Sequence, residues 1–231
     1  MNKFIFDVDG TLTPSRGIID EKFKTFFNEF CQTNPVYLVT GSDKAKTIEQ
    51  ISEPIYNLCK RVYQCNGNDA WEGTIHIHTN DWTLPDLART FLISCEYESM
   101  FDLRTGNHIE ERPGMVNFSI VGRNATAEER ARYVAYDTTE NERHTIANAF
   151  NIMFPDLQAT VGGETGIDIA PRGANKSQIL RDFNEDDTIH FYGDAMFEGG
   201  NDKPLADALL QYQLGFSHQV RDWKHTWGKL K

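Results

Sequence analysis

The sequence predicts an α/β fold, a doubly wound parallel-sheet core interrupted by an inserted α+β unit. Three observations point there. Short apolar runs alternate with helical periodicity near the amino terminus, and the same alternation returns near the carboxyl terminus. Between about residues 80 and 173 the pattern changes to helices beside several short strands. The expected division is therefore a core from residues 1–79 and 174–231, with residues 80–173 as a cap inserted into it.

Each element has its own signal. Phe4-Ile5-Phe6 is a short buried strand ending at Asp7-Val8-Asp9-Gly10. Phe23, Phe26, Phe27 and Phe30 recur at helical spacing between Glu21 and Cys31. Val36–Val39 is a second strand, closing in Thr40-Gly41-Ser42-Asp43, with Ser42 placed to cap the next helix. Val62-Tyr63 makes a third, ending near Asn66-Gly67. In the insert, Thr83 to Phe101 reads as a helix with Pro85 in its first turn. Met115–Val121 reads as a strand, and Thr126 to Glu129 as a capping box. A helix over about Glu140–Met153 precedes strands at Leu157–Val161 and Gly166–Ala170. Lys176–Arg181 is expected to be helical, and Thr188–Tyr192 is a strand stopping at Gly193-Asp194. His76 and His78 alternate in what reads as an exposed hairpin, and Trp223 and Trp227 share one helix face as core packing or a surface anchor.

The bulk properties narrow the function classes. A hydrophobic content of 39% and a charged content of 25% are ordinary for a soluble globular chain of 231 residues. With a net charge of −11 and no basic run, neither nucleic acid nor an anionic membrane surface is an expected partner. The Asp7 strand is reached too soon for a secretory signal, and no stretch approaches the roughly 18 apolar residues of a membrane span. Cys31, Cys59, Cys65 and Cys95 have no metal-like spacing and read as reduced thiols, so a cytoplasmic location is expected.

Asp7 and Asp9 stand two residues apart where a strand ends, and Gly10 lets the chain bend beside them. One carboxylate can attack phosphorus while the other protonates the leaving oxygen and takes the proton back. A calcium loop counted from Asp7 is excluded, because its fifth and twelfth places hold Thr11 and Ile18. An inert acidic turn stays open on this segment alone. In a doubly wound sheet, however, Asp7/Asp9, Thr40/Ser42 and Asp194 all fall at carboxyl ends of strands and would meet in one crevice. Asp7 and Asp194 can there offer oxygens to Mg²⁺. Ser42 as a simple cap and Lys176 as a solvated charge are the bland readings; their order along the chain with Asp194 and Asp202 favours phosphate contacts instead. Half of the 12 arginines lie between Arg104 and Arg143, a stretch without lysine. Arg112, Arg123 and Arg130 either converge on a second phosphate or pair with Glu110, Glu111, Glu128 and Glu129 on a solvated face.

Phe6 to Thr13, Gly41-Ser42-Asp43 and the run from Gly193 to Asp202 resemble the haloacid-dehalogenase superfamily. More narrowly, Pro113 to Arg123 followed by Glu128-Glu129-Arg130 resembles the cap of eukaryotic-type phosphomannomutases. The resemblance implies Asp7 as nucleophile and metal ligand, and Asp9 as general acid/base and a further metal ligand. It implies Ser42 and Lys176 at phosphate, with Thr40 competing for that role, and Asp194 and Asp202 at the metal site. Arg16, Arg112, Arg123, Arg130 and Asp168 match substrate-binding positions, and Gln50 matches a position near the crevice. The cofactor implied is Mg²⁺, the substrate a hexose phosphate such as mannose 6-phosphate, the activator a hexose 1,6-bisphosphate, and the assembly a homodimer through the cap. A sugar-phosphate phosphatase would use the same core residues, and a non-catalytic phosphosugar-binding protein is the third reading. Four positions depart from the family pattern: Thr40 and Gly166 replace a glycine and a serine, Cys65 a glutamate and Ala195 a lysine.

Overall fold

The computed structural model describes residues 1–231. Strand β1 (Asn2–Phe6) buries Ile5 and Phe6 completely and leads straight into the acidic turn. Helix α1 (Glu21–Thr33) is capped by Asp20, whose side chain accepts from the amides of Lys22 and Phe23; its buried face carries Phe23, Phe27 and Cys31. Next come β2 (Val36–Val39), α2 (Lys44–Ile51), α3 (Glu53–Leu58) and β3 (Arg61–Gln64). Strands β4 (Asp69–Glu72) and β5 (Ile75–Thr79) then form an antiparallel hairpin. His76 contacts Asp69 and His78 contacts the carbonyl of Gly67, so the two rings are spent on separate partners.

The chain then enters the insert: α4 (Asp86–Glu98), β6 (Ile109–Arg112), β7 (Met115–Phe118), α5 (Ala127–Glu140), α6 (Glu142–Met153), β8 (Leu157–Gly162) and β9 (Gly166–Pro171). Helix α4 is shorter at both ends than its apolar pattern indicates, and β7 stops at Phe118 instead of reaching Val121. The capping box is present, with Thr126 accepting from the Glu129 amide and Glu129 accepting from the Thr126 amide. The four strands form an antiparallel sheet in the order β6-β7-β9-β8. Val116, Phe118, Ile167 and Ile169 pack with Leu92, Tyr133 and Phe150 of the three helices. Alternation along the strands puts Asn117 and Asp168 on the opposite face.

After the insert, Lys176–Asp182 forms a 3₁₀ turn, followed by β10 (Thr188–Gly193), α7 (Lys203–Gln211), β11 (Gly215–Gln219) and α8 (Trp223–Leu230). The first and last segments build one seven-stranded sheet in the order β11-β10-β1-β2-β3-β4-β5. Its first five strands are parallel. Because β1 lies between β10 and β2, the strand order reverses at its carboxyl end, the place where such sheets bind ligands. Trp223 and Trp227 pack on Phe23 at ring distances of 5.9 and 5.7 Å, half-buried against the core. All four cysteines are free thiols. By its internal contacts the chain falls into two units, Met1–Asn80 with Ala174–Lys231, and Asp81–Gly173.

Candidate active site

The end of β1 is organised by its own turn. Val8 carbonyl oxygen accepts from the amides of Leu12 and Thr13, folding the chain back at once. Gly10 has a φ of +78°, and a Cβ there would sit 2.4 Å from Asp194 Oδ2. Glycine is thus what lets Asp194, at the end of β10, approach Asp7 and Asp9. Gly193 serves likewise for Asp202, since its missing Cβ would fall 2.5 Å from Asp202 Oδ2.

Asp7, Asp194 and Asp202 offer carboxylate oxygens that all lie within 4.8 Å of one another. Lys176 is fully buried among them and donates to Asp7 Oδ1 at 2.6 Å and to Asp202 Oδ1 at 2.7 Å. Burial alone would lower the Lys176 ammonium, but Asp202 and Asp7 outweigh it and hold it above its ordinary value. Asp7 is pushed well up by burial, against the pull of Lys176 and with the charges of Asp202 and Asp194 adding to the rise. Asp194 is pushed up to about 6, by burial first and by Asp202 next. With all three carboxylates ionised, the cluster and its one ammonium carry a net charge of −2. An all-oxygen donor set with that excess suits a hard divalent cation.

Asp9 lies outside the three-carboxylate group, because other donors hold it. Its Oδ1 accepts from the Arg16 amide at 2.5 Å and from Gln50 Nε2 at 2.8 Å, and its Oδ2 accepts from Ser42 Oγ at 3.4 Å. Gln50 is fully buried, and its amide nitrogen also reaches Thr13 Oγ1 at 3.3 Å. It therefore orients Asp9 from below.

Ser42 does not cap α2. Asp43 does, accepting from the Lys46 amide at 2.8 Å, which leaves the Ser42 hydroxyl turned to Asp9. Thr40 is buried and its hydroxyl accepts from the Ser42 amide at 3.1 Å, so of the two candidates Ser42 is the more open. Ala195 contributes only backbone: its amide donates to Asp202 Oδ2 at 3.0 Å.

In the insert, Arg112 Nη2 and Arg123 Nε both donate to Glu110 Oε2, at 2.8 and 2.6 Å. Arg130 donates to Glu164 at 3.2 Å and to the Ala125 carbonyl at 3.0 Å. Glu111 is taken by Arg89 instead. Glu110 lies opposite Asn117, and Asn117 lies opposite Asp168, so the three form one row across three strands. Asn117 Nδ2 donates to Asp168 Oδ1 at 2.6 Å. A Cβ at Gly166 would stand 2.6 Å from that same nitrogen, so the glycine is what admits the Asn117 amide.

A family model described as eukaryotic phosphomannomutase matches residues 23–229. The chain belongs to the eukaryotic phosphomannomutase family, a family of enzymes. The phosphomannomutase of Spinacia oleracea is 35% identical over 209 residues, covering 86% of this chain and 83% of the relative. That of Arabidopsis thaliana is 33% identical over 216 residues, covering 88% and 86%. Among solved structures, the C-terminal domain of C. albicans trehalose-6-phosphate phosphatase superposes with a TM-score of 0.65 at 14% identity, covering 96% of this chain and 80% of that one. That likeness carries the fold alone, a mainly parallel α/β core with an inserted α+β unit.

Against this phosphomannomutase-family background, the structure gathers Asp7, Asp9, Ser42, Gln50, Lys176, Asp194 and Asp202 in the core unit. Arg112 and Asp168 lie on one sheet of the cap, and Arg123, in the loop after β7, reaches Glu110 of the same sheet. Lys176, expected to contact phosphate, is enclosed and bound to two carboxylates. Two residues were not singled out from sequence as parts of a site: Glu110, named there only as a counter-ion, and Asn117. The signal for both is strand register, which places them beside Asp168.

Proposed function

We propose that this protein is a Mg²⁺-dependent phosphomannomutase, interconverting mannose 6-phosphate and mannose 1-phosphate through a phosphoryl group carried on Asp7. The observation that carries the reading is the Asp7 carboxylate, buried at the strand-order switch and held at 2.6 Å by Lys176 beside Asp194 and Asp202. Family membership supplies the substrate class.

Asp7 attacks phosphorus, the phosphorus–oxygen ester bond breaks, and Asp9 delivers a proton to the departing sugar oxygen. In the return step a sugar hydroxyl gives its proton to Asp9 as it attacks the aspartyl-phosphate. Gln50 and the Arg16 amide aim Asp9 for both transfers. Lys176 stays charged and fixes Asp7 in place, and Ser42 is the phosphate contact beside it. Mg²⁺, when held by Asp7, Asp194 and Asp202, supplies positive charge against the repulsion between carboxylate and phosphate. Arg112, Arg123 and Arg130 hold the phosphate that is not reacting, and Asp168 holds the sugar. A hexose 1,6-bisphosphate primes Asp7. The family resemblance adds a homodimer formed through the cap, and the four free cysteines favour a cytoplasmic location; no helix is long and apolar enough to cross a membrane.

Phosphorus NMR tests this. Mannose 1-phosphate, Mg²⁺ and a trace of hexose 1,6-bisphosphate are expected to yield mannose 6-phosphate with little inorganic phosphate. Mostly inorganic phosphate would transfer the assignment to a phosphatase using the same Asp7 chemistry.

A further inference from the structure

Arg112 and Arg123 come from opposite ends of a strand pair and its following loop, yet both guanidinia meet on one oxygen of Glu110. The arginine side chains are only 12% and 16% exposed, so this is a held arrangement and not a passing surface contact. Burial on its own would raise the Glu110 carboxyl, but the hydrogen bonds and charges of Arg112 and Arg123 hold it below its ordinary value. At neutral pH the trio therefore consists of two cations and one anion, a net charge of +1. Glu110 uses only the Nε of Arg123, leaving that guanidinium's two terminal nitrogens as a fork suited to a phosphate. Strand register sets Glu110 and Arg112 on the same sheet face as Asp168, and the bond to Glu110 brings Arg123 there from the loop after β7.

We propose that Glu110 is a positioning residue that sets the phosphate affinity of Arg112 and Arg123, aligning both guanidinia while cancelling one of their two charges. The inference rests on the reading of these arginines as the grip on the unreacting phosphate. A mutase must release each end of its bisphosphate once per cycle. Two uncompensated guanidinia would hold a phosphate dianion too tightly for that, whereas a trio of net charge +1 aligns it and lets it go.

Glu110→Gln separates charge from shape, because the amide oxygen can still accept from both arginines. Calorimetric titration of the full chain with mannose 6-phosphate in Mg²⁺ is expected to show Glu110→Gln binding roughly tenfold tighter than wild type at low salt. The gap should shrink as ionic strength rises, a dependence that a purely structural role would not produce. Glu110→Asp keeps the charge but shortens the side chain by one methylene, so it should bind no tighter than wild type. Unchanged or weaker binding by Glu110→Gln, or an equal tightening by Glu110→Asp, would overturn the proposal. Arg123→Ala is the control: if it binds as tightly as wild type, the assignment of the arginines to phosphate has failed, and this inference with it.

Discussion

Replacing Lys176 by Met keeps the length of the side chain and removes the only ammonium bonded to the buried carboxylates. Lys176 has no exposed surface, and its partners Asp7 and Asp202 are 5% and 0% exposed. Breaking a buried pair by deleting one partner costs about 3–5 kcal/mol. There is also a ceiling on the loss, because a stranded carboxylate can take a proton. At pH 7, protonating an aspartate of ordinary value near 3.9 costs about 4 kcal/mol, and at pH 5 about 1.5 kcal/mol. Urea unfolding of Lys176→Met in EDTA should therefore show a loss of about 3–4 kcal/mol at pH 7, shrinking below about 2 kcal/mol at pH 5. Mg²⁺ should recover part of the loss at pH 7, since a divalent cation takes over the neutralising role. A loss under about 1 kcal/mol at pH 7, or an equal loss at both pH values, would refute the claim that the ammonium offsets carboxylate charge in a closed site.

Other outcomes follow from the same cluster. Asp194 is raised from 3.8 to about 6, so its folded form favours the proton; stability from this group is present below pH 3.8 and lost as pH rises through 6. That amounts to at most about 3 kcal/mol. Mg²⁺ should accordingly raise the melting temperature more at pH 7.5 than at pH 4.5, and equal shifts would contradict the assignment. Asp7→Asn should abolish labelling of the protein by hexose bisphosphate carrying radioactive phosphorus; a variant that still labels carries its phosphoryl group elsewhere. The Thr11 hydroxyl is buried without a hydrogen-bond partner, so Thr11→Val should stabilise the fold by about 1 kcal/mol in thermal or urea unfolding, whereas destabilisation would reveal a partner for it. Gly10→Ala should cost at least about 1 kcal/mol from its positive φ and also weaken the Mg²⁺ shift in melting temperature, because the new Cβ displaces Asp194.

What could be read from sequence is local. The apolar run into Asp7-Val8-Asp9-Gly10, the helical spacing of Phe23 and Phe27, and the Thr126/Glu129 box each lie within a few residues, and each describes what the structure shows. What could not be read depends on contacts between distant residues. Lys176 bonds Asp7 across 169 positions, and nothing near Lys176 distinguishes an enclosed ammonium from a solvated one. Ser42 and Asp43 are equally good caps by type, so only the geometry of the first turn decides between them, and it frees Ser42 for Asp9. Gln50 sits at the end of an amphipathic helix, where its burial depends on Asp9 and Thr13 arriving from another element.

The two arginine readings are compatible. Pairing with glutamate was set against gripping phosphate, as though a counter-ion would use up the cation. A guanidinium has five donors, and Glu110 takes a single one from Arg123, so a carboxylate partner orients the group without exhausting it. The core is arranged the opposite way. There Lys176 gives its bonds to Asp7 and Asp202, and the charge still outstanding is negative. The Arg112–Arg123–Glu110 trio thus has an excess of one positive charge toward an anion, and the Asp7–Asp194–Asp202 cluster with Lys176, its carboxylates ionised, an excess of two negative charges toward a divalent cation.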